Sequence, residues 1–153
     1  MKIYADTSFL VSLYLKTDSL HAPAVAEVGS WKQAPELPLT PFALVEIENT
    51  LSRLVHKGKL NTRETTALLG LIKEDVGGGF LRSAPLRAYT WLETARDLSR
   101  SVTPHTGTRT LDVLHLSVAH AEECTHLASF DVNQRRAAAA MGLKLIPAVM
   151  PRT

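Results

Sequence analysis

Four acidic residues fall at places where a fold could bring their oxygens together: Asp6, Glu46, Asp112 and Asp131. Asp6 closes the apolar run "MKIYA" and is followed by two hydroxyls, Thr7 and Ser8. Asp131 stands just past "LAS", a second extended-looking piece. Glu46 lies in the first two turns after Thr40-Pro41, on a helix face shared with Asn49 and Arg53. Asp112 sits in the first turn of "LDVLHLSVAHAEE", the most apolar helical pattern in the chain. Carboxylates brought together repel one another and cannot all stay ionised without a cation. Hard oxygen ligands suit a hard cation, Mg²⁺ or Mn²⁺, that keeps several of its waters.

Each acid also has a plainer role. Asp6 can cap the helix that begins after it, and Asp131 can cap a helix at 132. Asp112 can complement a helix dipole, and Glu46 can pair with Arg53 as a rim charge. Taken singly, Asp112 and Asp131 are better explained this way. Taken together the balance reverses, because four caps have no reason to meet and a cation site requires it.

The elements that must position these acids are short. KIYA at 2 to 5 reads as a buried strand, followed by a helix from Ser8 to Leu15 and another over 22 to 33. Leu37 to Leu39 is extended, and Thr40-Pro41 opens a helix that stops at Gly58. Asn61 with Glu64 forms a capping-box pattern for a helix to about Val76. FLRSA at 80 to 84 is a strand, Arg87 to about Val102 a helix, and SVTPHTGTR a loop. Thr110 is expected to cap the apolar helix, then follow strand 125 to 129, helix Val132 to Met141 and the strand LKLIP. Short strands alternating with helices predict an α/β domain, a three-layer α/β/α arrangement around a parallel sheet. In such sheets ligands sit beyond the carboxyl ends of the strands, where Asp6 and Asp131 both stand.

Composition bounds the rest. The 153 residues suit one domain spanning 1 to 153, with 45% hydrophobic and 21% charged residues. No apolar run approaches a membrane span and no signal peptide is visible, so a cytoplasmic protein with no membrane partner is expected. The lone Cys124 cannot form an internal disulfide. Lys+Arg 17 against Asp+Glu 15 gives only +2, so a polyanion partner depends on where the cations fall.

Other chemistries fit less well. His115 and His120 are five apart and point to different helix faces, against a zinc site. Gly77-Gly78-Gly79 lacks the Lys-Ser/Thr ending of a phosphate loop and reads as a helix stop. No G-x-S-x-G elbow is present. Trp31 and Trp91 sit in helical patterns and read as core or interface residues.

"YADTSFL", "TPFALVEIENTL", "TRTLDVLHLSVAHA" and "LASFDVNQRRAAAAMGLKL" resemble, in order, the four acidic motifs of PIN-domain ribonucleases, with the VapC toxins as the nearest group. The resemblance runs from Lys2 to about Ile146. It implies that Asp6, Glu46, Asp112 and Asp131 are the catalytic, metal-binding quartet, with Glu46 preferred over its neighbour Glu48. Thr7 matches the hydroxyl after the first acid, and Ser129 stands where the family often has Thr; both are expected to orient carboxylates or waters. The implied activity is metal-dependent cleavage of RNA by an activated water, with Mg²⁺, or alternatively Mn²⁺. The implied partners are an RNA substrate, a cognate antitoxin and a second copy in a homodimer. RNA would enter a groove whose rim is expected to carry Arg53, Arg82, Arg109 and Arg135.

Two competing functions remain on the sequence. One is a non-catalytic PIN scaffold binding RNA or a partner protein, which the presence of all four acids opposes. The other is a phospho-acceptor receiver domain, which would want a second acid beside Asp6 and a late Lys; Thr7 and "SFDVNQ" supply neither.

Overall fold

In a computed structural model, which describes residues 1–86 and 89–151, thirteen elements follow the expected alternation. They are β1 (Ile3–Ala5), α1 (Thr7–Tyr14), α2 (His21–Gly29), β2 (Pro38–Leu39), α3 (Pro41–His56), α4 (Thr62–Gly77) and β3 (Arg82–Ser83). After these come α5 (Thr90–Ser101), α6 (Thr103–Thr106), α7 (Thr110–Ala121), β4 (His126–Ala128), α8 (Val132–Ala140) and β5 (Lys144–Ile146).

All strand pairs are parallel. The order β1-β4-β5 forms one ladder, with Ala5 opposite Ala128 and Ala128 opposite Ile146. β2 and β3 form a second ladder, and a single bridge between Lys2 and Glu36 ties it to β1. Alternation along β1 sends Ile3 and Ala5 into one apolar cluster with α1, α3 and α4, and Tyr4 into the other with α7 and α8. Both sheet faces are therefore covered by helices, the expected three layers.

Local chemistry sets the helix ends. Thr40 Oγ1 accepts from the Ala43 N–H at 3.1 Å, with Pro41 beginning α3. Gly58 takes φ +67° just beyond that helix, a conformation a side chain would resist. Asn61 and Glu64 exchange reciprocal bonds of 2.9 and 2.8 Å in a capping box.

Four expectations change, the first being the helix read over 22 to 33, which stops at Gly29 and leaves Trp31 outside it. The loop SVTPHTGTR contains a four-residue helix, α6, because Pro104 fits a first turn and Gly107 at φ +67° ends it. Thr110 is the first residue of α7 rather than its cap; Arg109, extended at φ −80° and ψ 161°, holds the cap position. The helix expected from Arg87 begins at Thr90, and Arg87 itself lies outside the described residues.

Cys124 is buried, and desolvation with the nearby Glu122 charge pushes its thiol up to about 12. Trp31 and Trp91 are half-buried against the two clusters, as expected. Among the described residues, no helix is long and apolar enough to cross a membrane.

Candidate active site

β1 and β4 run side by side and end together, so Asp6 and Asp131 leave the same edge of the sheet. The Asp6 N–H closes the ladder on the Ala128 carbonyl at 3.0 Å, which fixes where the first acid emerges. Here a cleft of about 450 Å³ opens. Asp6 at the end of β1, Glu46 on α3, Asp112 on α7 and Asp131 before α8 all line it. Four segments far apart in the chain thus place their carboxylates around one space. Asp18, in the turn between α1 and α2, lines it as well. No Lys or Arg stands among the described lining residues.

Asp6 is 2% exposed and heavily solvated by protein instead of water. Its Oδ1 accepts from the Phe9 N–H at 2.8 Å and the Ser8 hydroxyl at 2.7 Å. Its Oδ2 accepts from the Ser129 hydroxyl at 2.5 Å. Burial is the larger influence, and these donors only partly offset it, so its carboxyl stays above the ordinary range. Asp6 is therefore both the cap of α1 and a wall of the cleft.

Glu46 has the opposite balance. Burial raises its carboxyl, but His115 and Thr7 outweigh this and hold it below the usual glutamate range. The Thr7 hydroxyl donates to Oε2, and His115 Nε2 pairs with that same oxygen. His115 is 2% exposed, and its Nδ1 lies 2.7 Å from the Tyr4 hydroxyl. The Tyr4 phenol, fully buried, is raised by desolvation and by the Asp6 charge.

Asp112 is half-buried in the first turn of α7. Its carboxyl is raised, first by burial and then by the charge of Asp131. Asp131 caps α8, its Oδ1 accepting from the N–H groups of Asn133 and Gln134 at 2.8 and 2.9 Å. Its own N–H donates to Ser129 Oγ at 3.0 Å, so one serine holds both strand-end acids.

The cation expected here meets a definite test. Among the described residues, no three His, Cys, Asp or Glu side chains stand close enough to ligate one ion together. Yet Glu46 Oε1, Asp112 Oδ1 and Asp131 Oδ2 accept no hydrogen bond from any described residue. Four carboxylates lining one cleft without a three-ligand cluster fit a hydrated hard cation, held by one or two carboxylates and otherwise through water. They do not fit a cage of protein ligands.

The expected basic rim divides. Arg53 is exposed on α3, one turn beyond the cleft residue Thr50, and Arg109 is exposed beside Asp112. Arg82 and Arg135 are corrected. Arg82 pairs with Glu122 at 2.5 Å, at the end of α7 far from Asp112. Arg135 is 6% exposed and donates to the carbonyls of Ser129, Ile146 and Pro147 at 3.0, 3.2 and 2.7 Å. It ties the ends of β4 and β5 together, with three of its five N–H groups given to those carbonyls, and its burial takes it off the rim.

Sequence reasoning passed over Tyr4 and Asp18, considered His115 only as a zinc partner of His120, and gave Ser8 only hydrogen bonds at a helix start. The signal for His115 was its i+3 spacing from Asp112, which puts both on one face of α7. Tyr4 shares the strand side of Asp6 by the two-residue period. Asp18 gave no signal, since it lines the cleft through the path of a turn.

A family model of the PIN domain matches residues 3–140. No curated protein sequence matches the chain. Among solved structures, VapC20 of Mycobacterium tuberculosis, described as a sarcin-ricin loop cleaving toxin, is similar with TM-score 0.66 and 18% identity. That likeness covers 98% of this chain and 100% of that one. VapBC2 from Rickettsia felis, described as bound to a DNA fragment from their promoter, gives 0.62 and 16%, covering 95% and 97%. FitAcB from Neisseria gonorrhoeae gives 0.63 and 15%, covering 94% and 95%.

Proposed function

The chain belongs to the PIN-domain family, and on that premise we propose that it is a divalent-metal-dependent endoribonuclease, the toxin of a toxin–antitoxin pair acting in the cytoplasm. The observation that carries this reading is the convergence of Asp6, Glu46, Asp112 and Asp131 on one cleft from four separate segments. A cleft whose described lining holds acids and no Lys or Arg repels a phosphodiester unless a cation stands between them.

Asp6, Glu46 and Asp112 would hold the cation, directly or through water, with Asp131 in support. When bound, Mg²⁺ or Mn²⁺ would draw in the scissile phosphate and acidify a water near it. Ser129, Ser8 and Thr7 keep the carboxylates oriented by donating to Asp6 and Glu46. Low-lying Glu46 stays ionised at neutral pH and is suited to receive a hydrogen bond from water at the open side. Arg53 and Arg109 would grip the RNA backbone outside the acidic floor. The likeness to VapC20 supports RNA as the substrate class, and the likenesses to VapBC2 and FitAcB support a separate antitoxin as partner. A homodimer is proposed from the same resemblance.

The test sets wild type against Asp6→Asn on RNA in Mg²⁺ or Mn²⁺. Cleavage by wild type alone, abolished by chelation, is expected. Equal cleavage by both proteins, or RNA binding without any cleavage, ends the catalytic reading and leaves a scaffold.

A further inference from the structure

Glu46 differs from the other acids in how it is held. Both of its partners, Thr7 and His115, engage Oε2, and Oε1 accepts nothing from the described residues. The imidazole that makes one of those contacts is itself fixed on three sides. Tyr4 Oη lies 2.7 Å from Nδ1, and the Tyr4 ring centroid is 5.6 Å from the imidazole at 55°. Phe42 stands on α3, four residues before Glu46, with its ring centroid 4.8 Å away at 52°. Tyr4 is completely buried, and His115, 2% exposed, reaches the cleft only as part of its wall, beside Glu46.

An ionised carboxylate can only accept, so the imidazole nitrogen against Glu46, Nε2, carries the ring proton. In the neutral ring Nδ1 is then the acceptor, and the Tyr4 hydroxyl donates to it. We infer that His115, set by Tyr4, is the positioning residue for Glu46: it occupies Oε2 as a donor and leaves Oε1 as the oxygen offered to a cation in the cleft. This rests on the nuclease reading of the cleft. Nothing in the acidic quartet requires a histidine; the arrangement supplies what a flexible glutamate on a helix lacks, a single orientation. A long side chain with three rotatable bonds would otherwise sample orientations that turn both oxygens away from a cation.

The experiment has one arm on wild type and one on variants of the full chain. In the metal-free protein, ¹⁵N–¹H correlation of the imidazoles is expected to show the His115 proton on Nε2. Calorimetric Mn²⁺ titration is then compared across wild type, His115→Gln, which keeps an N–H for Glu46, and His115→Leu, which keeps bulk without a donor. Loss of an outer hydrogen bond of this kind weakens metal binding by about tenfold to a hundredfold. His115→Leu is expected to show that loss and His115→Gln to stay within a few-fold of wild type. The inference is overturned by a bare Nε2, by wild-type affinity in His115→Leu, or by equal losses in both variants. Should His115→Leu not fold, the tautomer and the His115→Gln affinity still decide. A wild type that binds and cleaves while His115→Leu matches it removes only this inference. A wild type that neither binds Mn²⁺ nor cleaves RNA removes the nuclease reading, and this inference with it.

Discussion

Ser129 donates its hydroxyl to Asp6 Oδ2 at 2.5 Å while accepting the Asp131 N–H at 3.0 Å. Two strand-end acids from opposite ends of the chain are therefore held by one buried side chain. Replacing Ser129 with Ala removes one of three donors from a carboxylate that is 2% exposed. A hydrogen bond to a charged group contributes about 1.5–3 kcal/mol, and Ser129→Ala should lose stability in that range. Ser129→Thr, which keeps the hydroxyl, should lose much less. Denaturant unfolding of the two variants checks this; equal losses would mean that the hydroxyl is not what matters.

Asp6→Asn should separate function from stability. Burial disfavours the Asp6 charge, so the neutral isostere removes a cost of folding and keeps an oxygen for Ser8 and Phe9. The variant is expected to be at least as stable as wild type without metal. Its RNA cleavage should fall on the order of a hundredfold or more, since transition-state charge loses its cation. A variant both inactive and strongly destabilised would make Asp6 a structural residue first. Functional carboxylates commonly carry this opposition between activity and stability.

How much of this was legible in the sequence depends on what each signal encodes. Caps are local chemistry, so Thr40 with Pro41 and Asn61 with Glu64 could be read directly. For Asp6 and Asp131 the plain reading and the functional one both hold: each caps a helix and each lines the cleft. Weighing cap against site was a false choice, because a helix N-terminus at a strand end is also where a ligand pocket forms. Arg135 could not be placed from composition, because its burial depends on the carbonyls of Ser129, Ile146 and Pro147 converging after β4 and β5 pair. His115 was weighed only as a zinc ligand with His120. Its partner is Glu46, 69 residues away, and no local pattern announces that contact.

The four arginines first assigned to the rim should behave as two classes. Arg135→Ala removes three hydrogen bonds, leaving the Ser129 and Pro147 carbonyls without the guanidinium while Ile146 keeps the Ser129 N–H, and should destabilise by about 2–4 kcal/mol. Arg53→Ala and Arg109→Ala touch exposed side chains and should stay within about 0.5 kcal/mol of wild type. On RNA the order reverses: Arg53→Ala and Arg109→Ala should weaken binding and flatten its salt dependence by about one charge each. Arg82→Ala should do neither strongly, as its pairing with Glu122 is exposed. Fluorescence anisotropy over a salt series, beside thermal unfolding, checks the division; a salt slope unchanged in Arg53→Ala and Arg109→Ala would move the RNA path elsewhere.

The carboxyl shifts set a pH signature that a cation should erase. Asp6 and Asp112 have folded-state values above the ordinary 3.8. Below 3.8 both states are protonated and neither acid affects stability. As pH rises past 3.8 the unfolded chain releases these protons first, so stability falls until the raised folded values are passed. Glu46 runs the other way: its contribution is present above the ordinary 4.5 and is lost as pH falls through its lowered folded value. Metal-free wild type and Asp6→Asn should therefore have similar stability at about pH 3 and diverge toward about pH 7, with the variant the more stable. Added Mn²⁺ should raise wild type toward the variant at neutral pH, because binding only the folded state stabilises it by mass action. At acid pH it should do little, since proton and cation compete for the same oxygens. Urea unfolding across that range, with and without Mn²⁺, measures all four curves. Wild-type and variant curves that stay parallel, or an Mn²⁺ effect as large at pH 3 as at pH 7, would mean that these carboxylates do not share the cleft with an ion.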